Sequence, residues 1–169
     1  RDFLVSELHR LDVRGKLPSS GAYSYRPLAG ITGITIHYTA TSPNLSVYEI
    51  ARGQLSRVAD STTGEKFPAI AYTLVVDSIG TIFWCHDLAT RCWHSAAKVD
   101  GIRRNDSHVG ICWIGNTEPN AQQINGLRRA ISFAQLNVRR PLTLEGHKDV
   151  YATICPGSTW DRWRSQLLA

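Results

Sequence analysis

The sequence contains no methionine, few cysteines and no long apolar run. Without a stretch of about 18 apolar residues, no segment is predicted to insert into a membrane. The absence of methionine, even at the start, indicates a processed or trimmed chain, and residues 1–5 lack the apolar stretch of a signal peptide. Low-complexity tracts and internal repeats are also missing, so neither a disordered chain nor a solenoid is expected.

The four cysteines exclude two kinds of site. Cys85, Cys92, Cys112 and Cys155 form no C-x-x-C pair, which argues against a four-thiolate zinc site and a thioredoxin motif. Four cysteines are also too few for a disulfide scaffold. A Cys85–Cys92 bridge is compatible with the sequence, which does not decide it. Cys112 lies in an apolar run and is predicted to be a buried small hydrophobic residue.

The charge is moderately basic, with a net value of +5 and a pI near 9.2. Basicity favours polyanionic partners such as a bacterial wall, and is equally compatible with solubility alone. Apart from three Arg–Arg pairs, the basic residues are scattered along the chain, which is not the dense cluster of a nucleic-acid binder. The length of 169 residues suits one domain, which we expect to be a monomer.

Hydrophobic patterns predict strands that alternate with helices. Two helix starts have capping-box spacing, Ser46 with Glu49 and Asn120 with Gln123. Apolar residues at helical spacing follow each start: Val47, Ile50, Ala51, Leu55 and Val58, then Ile124, Leu127, Ile131, Ala134 and Val138. A final helix carrying Trp160, Trp163 and Leu167 is predicted to be capped by Ser158 and Asp161. Strands are predicted at 31–39, 71–76, 81–85, 109–114 and 142–144, and a hairpin turn at 77–80.

These elements indicate the α/β class, with one domain built on a mixed central β-sheet flanked by α-helices. Residues 31–169 are assigned to that domain. Residues 1–30 contain many Gly, Pro and Ser, and are predicted to be an irregular N-terminal segment packed on it, with a short helix at 2–10. The long polar stretch 86–108 is predicted to be a functional loop.

Three residues have the chemistry of a catalytic zinc site. His37 ends a predicted strand, His147 follows another, and Cys155 lies eight residues further on. Imidazole and thiolate are good zinc ligands, and three protein ligands with an open position are typical of catalytic zinc. Because Cys155 precedes a predicted helix, its thiol is expected to have a lowered pKa. Ligand chemistry and spacing alone do not distinguish this trio from unrelated histidines.

The short sequence motifs around these residues carry a more specific signal. In order along the chain stand ITIHYT at 34–39, AYTL at 71–74, CWHS at 92–95, VGI at 109–111, EGH at 145–147 and CPG at 155–157. Together they resemble the amidase family that includes phage amidase-type lysozymes and animal peptidoglycan-recognition proteins. The resemblance runs from about residue 31 to 168, and it implies a zinc-dependent N-acetylmuramoyl-L-alanine amidase acting on bacterial peptidoglycan at the cell wall.

The resemblance assigns roles position by position. His37, His147 and Cys155 match the zinc ligands, and Tyr72 matches an active-site tyrosine that forms a hydrogen bond. Thr153 stands at the catalytic position where many members have lysine, although peptidoglycan-recognition amidases also have threonine there. Cys112 stands where some relatives have glutamate, so no carboxylate general base is identified.

The loop word CWHS is expected to lie at the substrate groove. His94 matches the histidine placed there, and the aromatic residues Trp93, Tyr38 and Trp113 are candidates to line the groove, although core packing is preferred for Trp113. His94 is interpreted as the proton donor to the leaving amine of L-alanine, because imidazole changes charge near neutral pH. Tyr72 or His94 would also help to stabilise the oxyanion.

Two other functions compete with the zinc amidase. Some recognition proteins of this family bind wall fragments without cleaving them, and these resemble the enzymes except for loss of the ligand cysteine. Cys155 is present here, which favours the enzyme. A basic nuclease would need an oxygen-rich magnesium site or a His-Asn-His arrangement, and neither is visible.

Overall fold

The computed structural model describes residues 10–168. The strands are β1 (Arg10–Asp12), β2 (Gly33–Tyr38), β3 (Val58–Asp60), β4 (Glu65–Lys66), β5 (Leu74–Val76), β6 (Ile82–Trp84), β7 (Lys98–Val99), β8 (Ile102–Arg103), β9 (His108–Trp113) and β10 (Thr143–Gly146). The α-helices are α1 (Val47–Leu55), α2 (Arg104–Ser107), α3 (Ala121–Val138) and α4 (Trp160–Trp163). Short 3-10 helices cover Leu28–Gly30, His147–Asp149 and Arg164–Leu167.

Six of these strands form the central sheet, in the order β1-β6-β5-β9-β2-β10. The pairing of β5 with β6 is antiparallel and the other four pairings are parallel, so the sheet is mixed. The remaining four strands form two small hairpins, β3–β4 and β7–β8. The α/β fold predicted from the sequence, with a mixed sheet and flanking helices, is confirmed.

Alternation along β2 separates the two faces of the sheet. Ile34 and Ile36 belong to the main core, which also contains the buried stripe of α3 and both tryptophans of α4. Thr35 and His37 alternate with them and therefore point to the opposite face. On that face, α1 packs its own buried stripe against the sheet through a second core cluster that includes Cys112. The ligand candidates thus lie beside α1, away from the main core.

Several predicted elements are present with shifted ends. Both capping boxes form, at Ser46 for α1 and at Asn120 for α3. The predicted hairpin turn joins β5 to β6, where Asp77 Oδ1 accepts backbone hydrogen bonds and Gly80 adopts a φ of +84°. A positive φ is readily reached only by glycine. Burial of Trp113 and Cys112 in the core is also confirmed.

Two local predictions were wrong, and one open question is answered. Val58 is not part of the α1 stripe, because α1 ends at Leu55 and Val58 lies 52% exposed in β3. Ser158 does not cap α4, which follows Thr159 and has no side-chain cap hydrogen bond. The bridge that the sequence left open between Cys85 and Cys92 is absent, since all four cysteines are buried free thiols.

The N-terminal segment contributes more than an irregular cover. Its strand β1 pairs with β6 at the edge of the central sheet. Arg26 is buried and donates hydrogen bonds to three backbone carbonyls of the 88–108 region. The helix predicted at 2–10 falls, except for Arg10 in β1, outside the described residues. Across residues 10–168, no helix combines the length and apolarity needed to cross a membrane.

Candidate functional site

Parallel pairing of β2 with β10 brings two of the ligand candidates together. Gly146 lies opposite Ile36 in the register, so His147, which follows β10, comes level with His37, the second-last residue of β2. The two imidazole centroids are 4.7 Å apart, and His37 is only 1% exposed. Two chain segments that are distant in sequence therefore present imidazoles at one edge of the sheet.

Cys155 completes the cluster from a loop. Its Sγ lies 3.6 Å from Nδ1 of His37, and the ligand atoms of His37, His147 and Cys155 all lie within 4.8 Å of one another. The loop is held by Lys148, whose N–H donates to the Cys155 carbonyl at 2.7 Å, and by Thr153, whose hydroxyl accepts from the Cys155 N–H at 3.2 Å. Thr153 therefore positions the cysteine backbone.

The residues of this cluster fit a zinc ion. Nε2 of His147 is buried and has no hydrogen-bond partner among the described residues, so its lone pair is available to coordinate a metal ion. A buried polar atom left unpaired is costly, and two nitrogens with one sulfur are typical zinc ligands. Burial and the neighbouring His94 and His147 lower the pKa of His37 well below its usual value, which keeps the ring neutral, as a ligand must be.

The lowered pKa that the sequence predicted for the Cys155 thiol, from a helix following it, is not found. Burial raises the pKa of the Cys155 thiol to about 12. The helix α4 begins only at Trp160 and has four residues, so its dipole does not offset this burial. Ionisation of Cys155 would therefore depend on a cation bound beside it.

His94 holds His37 in one tautomer. Nε2 of His94 lies 3.0 Å from the backbone carbonyl of His108, and Nδ1 lies 3.0 Å from Nε2 of His37. A carbonyl only accepts, so the proton of the neutral His94 ring is on Nε2, and its Nδ1 accepts from His37. The lone pair of His37 is consequently on Nδ1, the atom that faces Cys155. The same His108 carbonyl accepts from buried Arg26.

The surroundings of His94 bear on its predicted role as a proton donor. His94 is 6% exposed, and its ring packs against Gly110, where a Cβ would lie 2.8 Å from its Cβ and Cγ. Burial, followed by the charge of Arg26, lowers its pKa to about 3. Both ring nitrogens are thus engaged and the ring is neutral near pH 7, an arrangement suited to positioning His37, and a role as proton donor stays a prediction.

Tyr72 lies at the cluster, in the irregular segment that precedes β5. Its ring centroid is 5.2 Å from that of His37. Burial, with the nearby thiols of Cys112 and Cys155, raises the pKa of Tyr72 well above its usual value. The hydroxyl therefore keeps its proton at neutral pH and is able to donate a hydrogen bond.

The groove aromatics occupy different surroundings. Trp93 is half-buried and packs against the cluster of Tyr23, Ala69 and Cys92, with its ring 5.4 Å from that of Tyr23. Tyr38 is partly exposed and packs against Trp113, which belongs to the main core. A substrate contact of Trp93 stays a prediction.

One polar network near the cluster was missed in the sequence. Glu145 precedes His147 by two residues, and its Oε1 lies 2.8 Å from Nε2 of His108 and 2.7 Å from Nε of Arg104. All three side chains are at most 16% exposed. The two-residue alternation on β10 was the signal that places Glu145 on the ligand face. His108 and Arg104 are distant in sequence and gave no such signal.

Similarity to known proteins identifies the family of this chain. The sequence model of the N-acetylmuramoyl-L-alanine amidase family matches residues 26–158. A curated peptidoglycan-recognition protein of Drosophila simulans is 27% identical over 143 residues, which cover 78% of this chain and 75% of that protein.

Solved structures with the same fold come from both branches of this resemblance. The endolysin N-acetylmuramoyl-L-alanine amidase LysCS from Clostridium intestinale superposes with a TM-score of 0.66 at 18% identity, covering 95% of each chain. Peptidoglycan recognition protein-LE, solved in complex with tracheal cytotoxin, superposes with a TM-score of 0.73 at 18% identity, covering 94% of each chain. With the family match spanning most of its length, the chain belongs to the N-acetylmuramoyl-L-alanine amidase family.

Proposed function

We propose that this protein is a zinc-dependent amidase that cleaves the bond between N-acetylmuramic acid and L-alanine in bacterial peptidoglycan. The observation that carries the proposal is the convergence of His37, His147 and Cys155, whose ligand atoms lie within 4.8 Å of one another. Three protein ligands leave a coordination position for water or substrate, as catalytic zinc requires. The family match and the peptidoglycan-related names of the relatives support the substrate class. The site of action would be the bacterial cell wall.

The residues around the cluster would perform distinct tasks. His37, His147 and Cys155 would hold zinc, which supplies the Lewis acidity needed to hydrolyse an unactivated amide. His94 would keep the lone pair of His37 directed at the metal. Tyr72 would donate a hydrogen bond from its protonated hydroxyl to the amide oxygen as negative charge develops there.

Digestion of purified peptidoglycan tests this proposal. Mass spectrometry of the products should show free stem peptides that begin with L-alanine, together with intact glycan strands. Metal analysis should find zinc bound to protein purified without added metal. A folded, metal-free protein that stays inert when zinc is supplied would contradict the proposal.

Cys155→Ser gives the corresponding variant, because a neutral hydroxyl is a much poorer zinc ligand than a thiolate. Hydrolysis should fall to background while binding to insoluble peptidoglycan persists. Cys92→Ser is the matched control, since it makes the same change at a buried thiol outside the cluster and should keep both zinc and activity. Persistent cleavage by Cys155→Ser would remove Cys155 from the site.

Recognition without cleavage is the second candidate. It is favoured by the name of the curated relative and by the solved complex of peptidoglycan recognition protein-LE with tracheal cytotoxin. A pure binder would bind wall fragments equally well with and without zinc, and would release no new amino termini. The digestion experiment therefore separates the two functions.

A further inference from the structure

A cavity of about 170 Å³ opens beside Tyr72, between α1 and the end of β2. Tyr72 lines this cavity, and its ring centroid is 5.2 Å from that of His37, so the cavity lies beside the metal cluster. Its lining includes Thr39, Leu45, Ile50, Gly53 and Arg57. Apolar side chains on one wall and polar groups at the rim are typical of a small-ligand site.

The charged groups of the cavity are not equivalent. Glu49 is engaged, because its Oε2 accepts from the N–H of Ser46 in the capping box at the start of α1. Arg57 lies two residues past the end of α1 and is exposed. Within residues 10–168, its guanidinium forms no ion pair or side-chain hydrogen bond, since Arg57 takes part only through its backbone. The cavity therefore carries, besides the capping-box carboxylate of Glu49, a guanidinium that is paired with no carboxylate among these residues and whose charge acts on Tyr72.

The wall that carries Arg57 is fixed relative to Tyr72. Gln54 is 5% exposed, and its Oε1 accepts from the N–H of Ala71 at 2.8 Å. Both backbone polar groups of Arg57 form hydrogen bonds. Its N–H donates to the Gln54 carbonyl, and its carbonyl accepts from the N–H of Phe67. The backbone that carries this cation is thus fixed beside the reaction centre, and a cation near a reaction centre can select a substrate by charge.

We propose that Arg57 binds a free carboxylate of the stem peptide and makes the enzyme selective for acidic stems. This inference rests on the proposed function, because the scissile amide must lie at the metal cluster for the peptide to extend along the cavity. The carboxylate in question belongs to the residue that follows alanine. Guanidinium and carboxylate form bidentate, charge-assisted hydrogen bonds, whereas a neutral amide in the same place does not.

Two synthetic muropeptides that differ in one group test the inference. One has the free carboxylate on the residue after alanine, and the other has a primary amide there. The wild-type protein should hydrolyse the acid with a kcat/KM about tenfold higher than the amide, mainly through KM. Arg57→Gln should lose this preference, and Arg57→Lys should keep part of it. Arg52→Gln is the control, because Arg52 stacks on Tyr48 from the same helix and does not line the cavity.

A binding measurement separates this inference from the proposed function. Calorimetry with the free acidic stem peptide should give about tenfold weaker binding to Arg57→Gln than to the wild type. If neither muropeptide is hydrolysed but this difference in binding is found, the carboxylate site stands and the hydrolytic function fails. If the wild type hydrolyses both muropeptides equally, or Arg57→Gln retains the preference, Arg57 does not select the stem and the inference is overturned.

Discussion

The buried imidazole of His94 fixes the tautomer of the neighbouring His37. Because its Nε2 donates to the His108 carbonyl, its Nδ1 is left to accept from His37. The variant His94→Phe keeps a ring of similar size and removes both hydrogen bonds. Zinc affinity should fall about 10- to 100-fold, the usual cost of losing a partner of a metal-ligating histidine. Competition with a chromophoric chelator measures the change.

The matched control for that variant is His86→Phe. His86 also forms one hydrogen bond to a carbonyl, at 2.8 Å to Ile70, and does not touch the cluster. Its zinc affinity should match the wild type. An unchanged affinity in His94→Phe would show that His37 finds its tautomer without help.

The role of Tyr72 can be tested by removing a single atom, its hydroxyl oxygen. The variant Tyr72→Phe keeps the ring against His37 and removes the hydroxyl. If that hydroxyl acts on the developing charge, kcat should fall by about 100-fold or more with little change in wall binding. Steady-state kinetics beside a pull-down with insoluble peptidoglycan gives both numbers. A loss of binding that equals the loss of rate would assign Tyr72 to substrate affinity instead.

At the scale of elements, the cap of α3 connects two parts of the fold. Asn120 accepts from the N–H of Gln123, and its Nδ2 donates to the Ser78 carbonyl in the β5–β6 turn at 2.9 Å. Asn120→Ala should therefore lower the free energy of unfolding by about 1–2 kcal/mol. Thermal unfolding would show a fall of about 2–4 °C per kcal/mol for a chain of this size.

Ser46→Ala is the comparison for Asn120→Ala. It removes the cap of α1, where the Ser46 side chain, among the residues that the structure describes, bonds only within its own capping box. A smaller fall in the melting temperature is expected, because no second element is released. An equal or larger fall would mean that the bond from Asn120 to Ser78 adds nothing.

Elements were predictable from sequence where the local signal was strong. The long stripe and capping box of α3 fix a helix by short-range contacts, and the β-branched run of β2 fixes a buried strand. The strand β1 was missed because its three residues have no alternating pattern and gain their pairing only from β6. Ser158 failed as a cap because spacing alone does not fix where a four-residue helix begins.

The site was predictable in part for the same reason. The ligand trio and Tyr72 lie in the sequence motifs on which the family resemblance rests, and the structure brings all four residues together. The link from His108 through His94 to His37 depends on side chains from separate segments, and so does the pairing of Glu145 with Arg104. Such contacts arise only when the sheet has formed, and no spacing in the sequence encodes them.

For the molecule as a whole, buried neutral histidines predict sensitivity to acid. Burial lowers the pKa of His86 below its usual value of 6.5, although its bond to Ile70 and the charge of Asp87 oppose this. The unfolded chain therefore takes up a proton at His86 first as the pH falls, so the folded state loses stability below about pH 6.5.

His86→Phe isolates this effect. The melting temperature of the wild type relative to His86→Phe should be higher at about pH 7.5 than at about pH 5, because only the wild type binds the extra proton on unfolding. Differential scanning calorimetry at the two pH values measures the difference. A constant gap between the proteins would show that His86 does not contribute to acid sensitivity.

The cluster at the end of β2 also has a consequence for how the protein would acquire its metal. His37 and Cys155 are 118 positions apart in the chain, and the two meet through the sheet that carries β2 and β10. In the unfolded polypeptide only His147 and Cys155 are near each other in sequence, and His37 joins them when the sheet forms, so loading of the complete site would follow folding instead of guiding it. Bound zinc would then slow unfolding. Chelators would therefore shorten the lifetime of the native state and leave the folding rate unchanged.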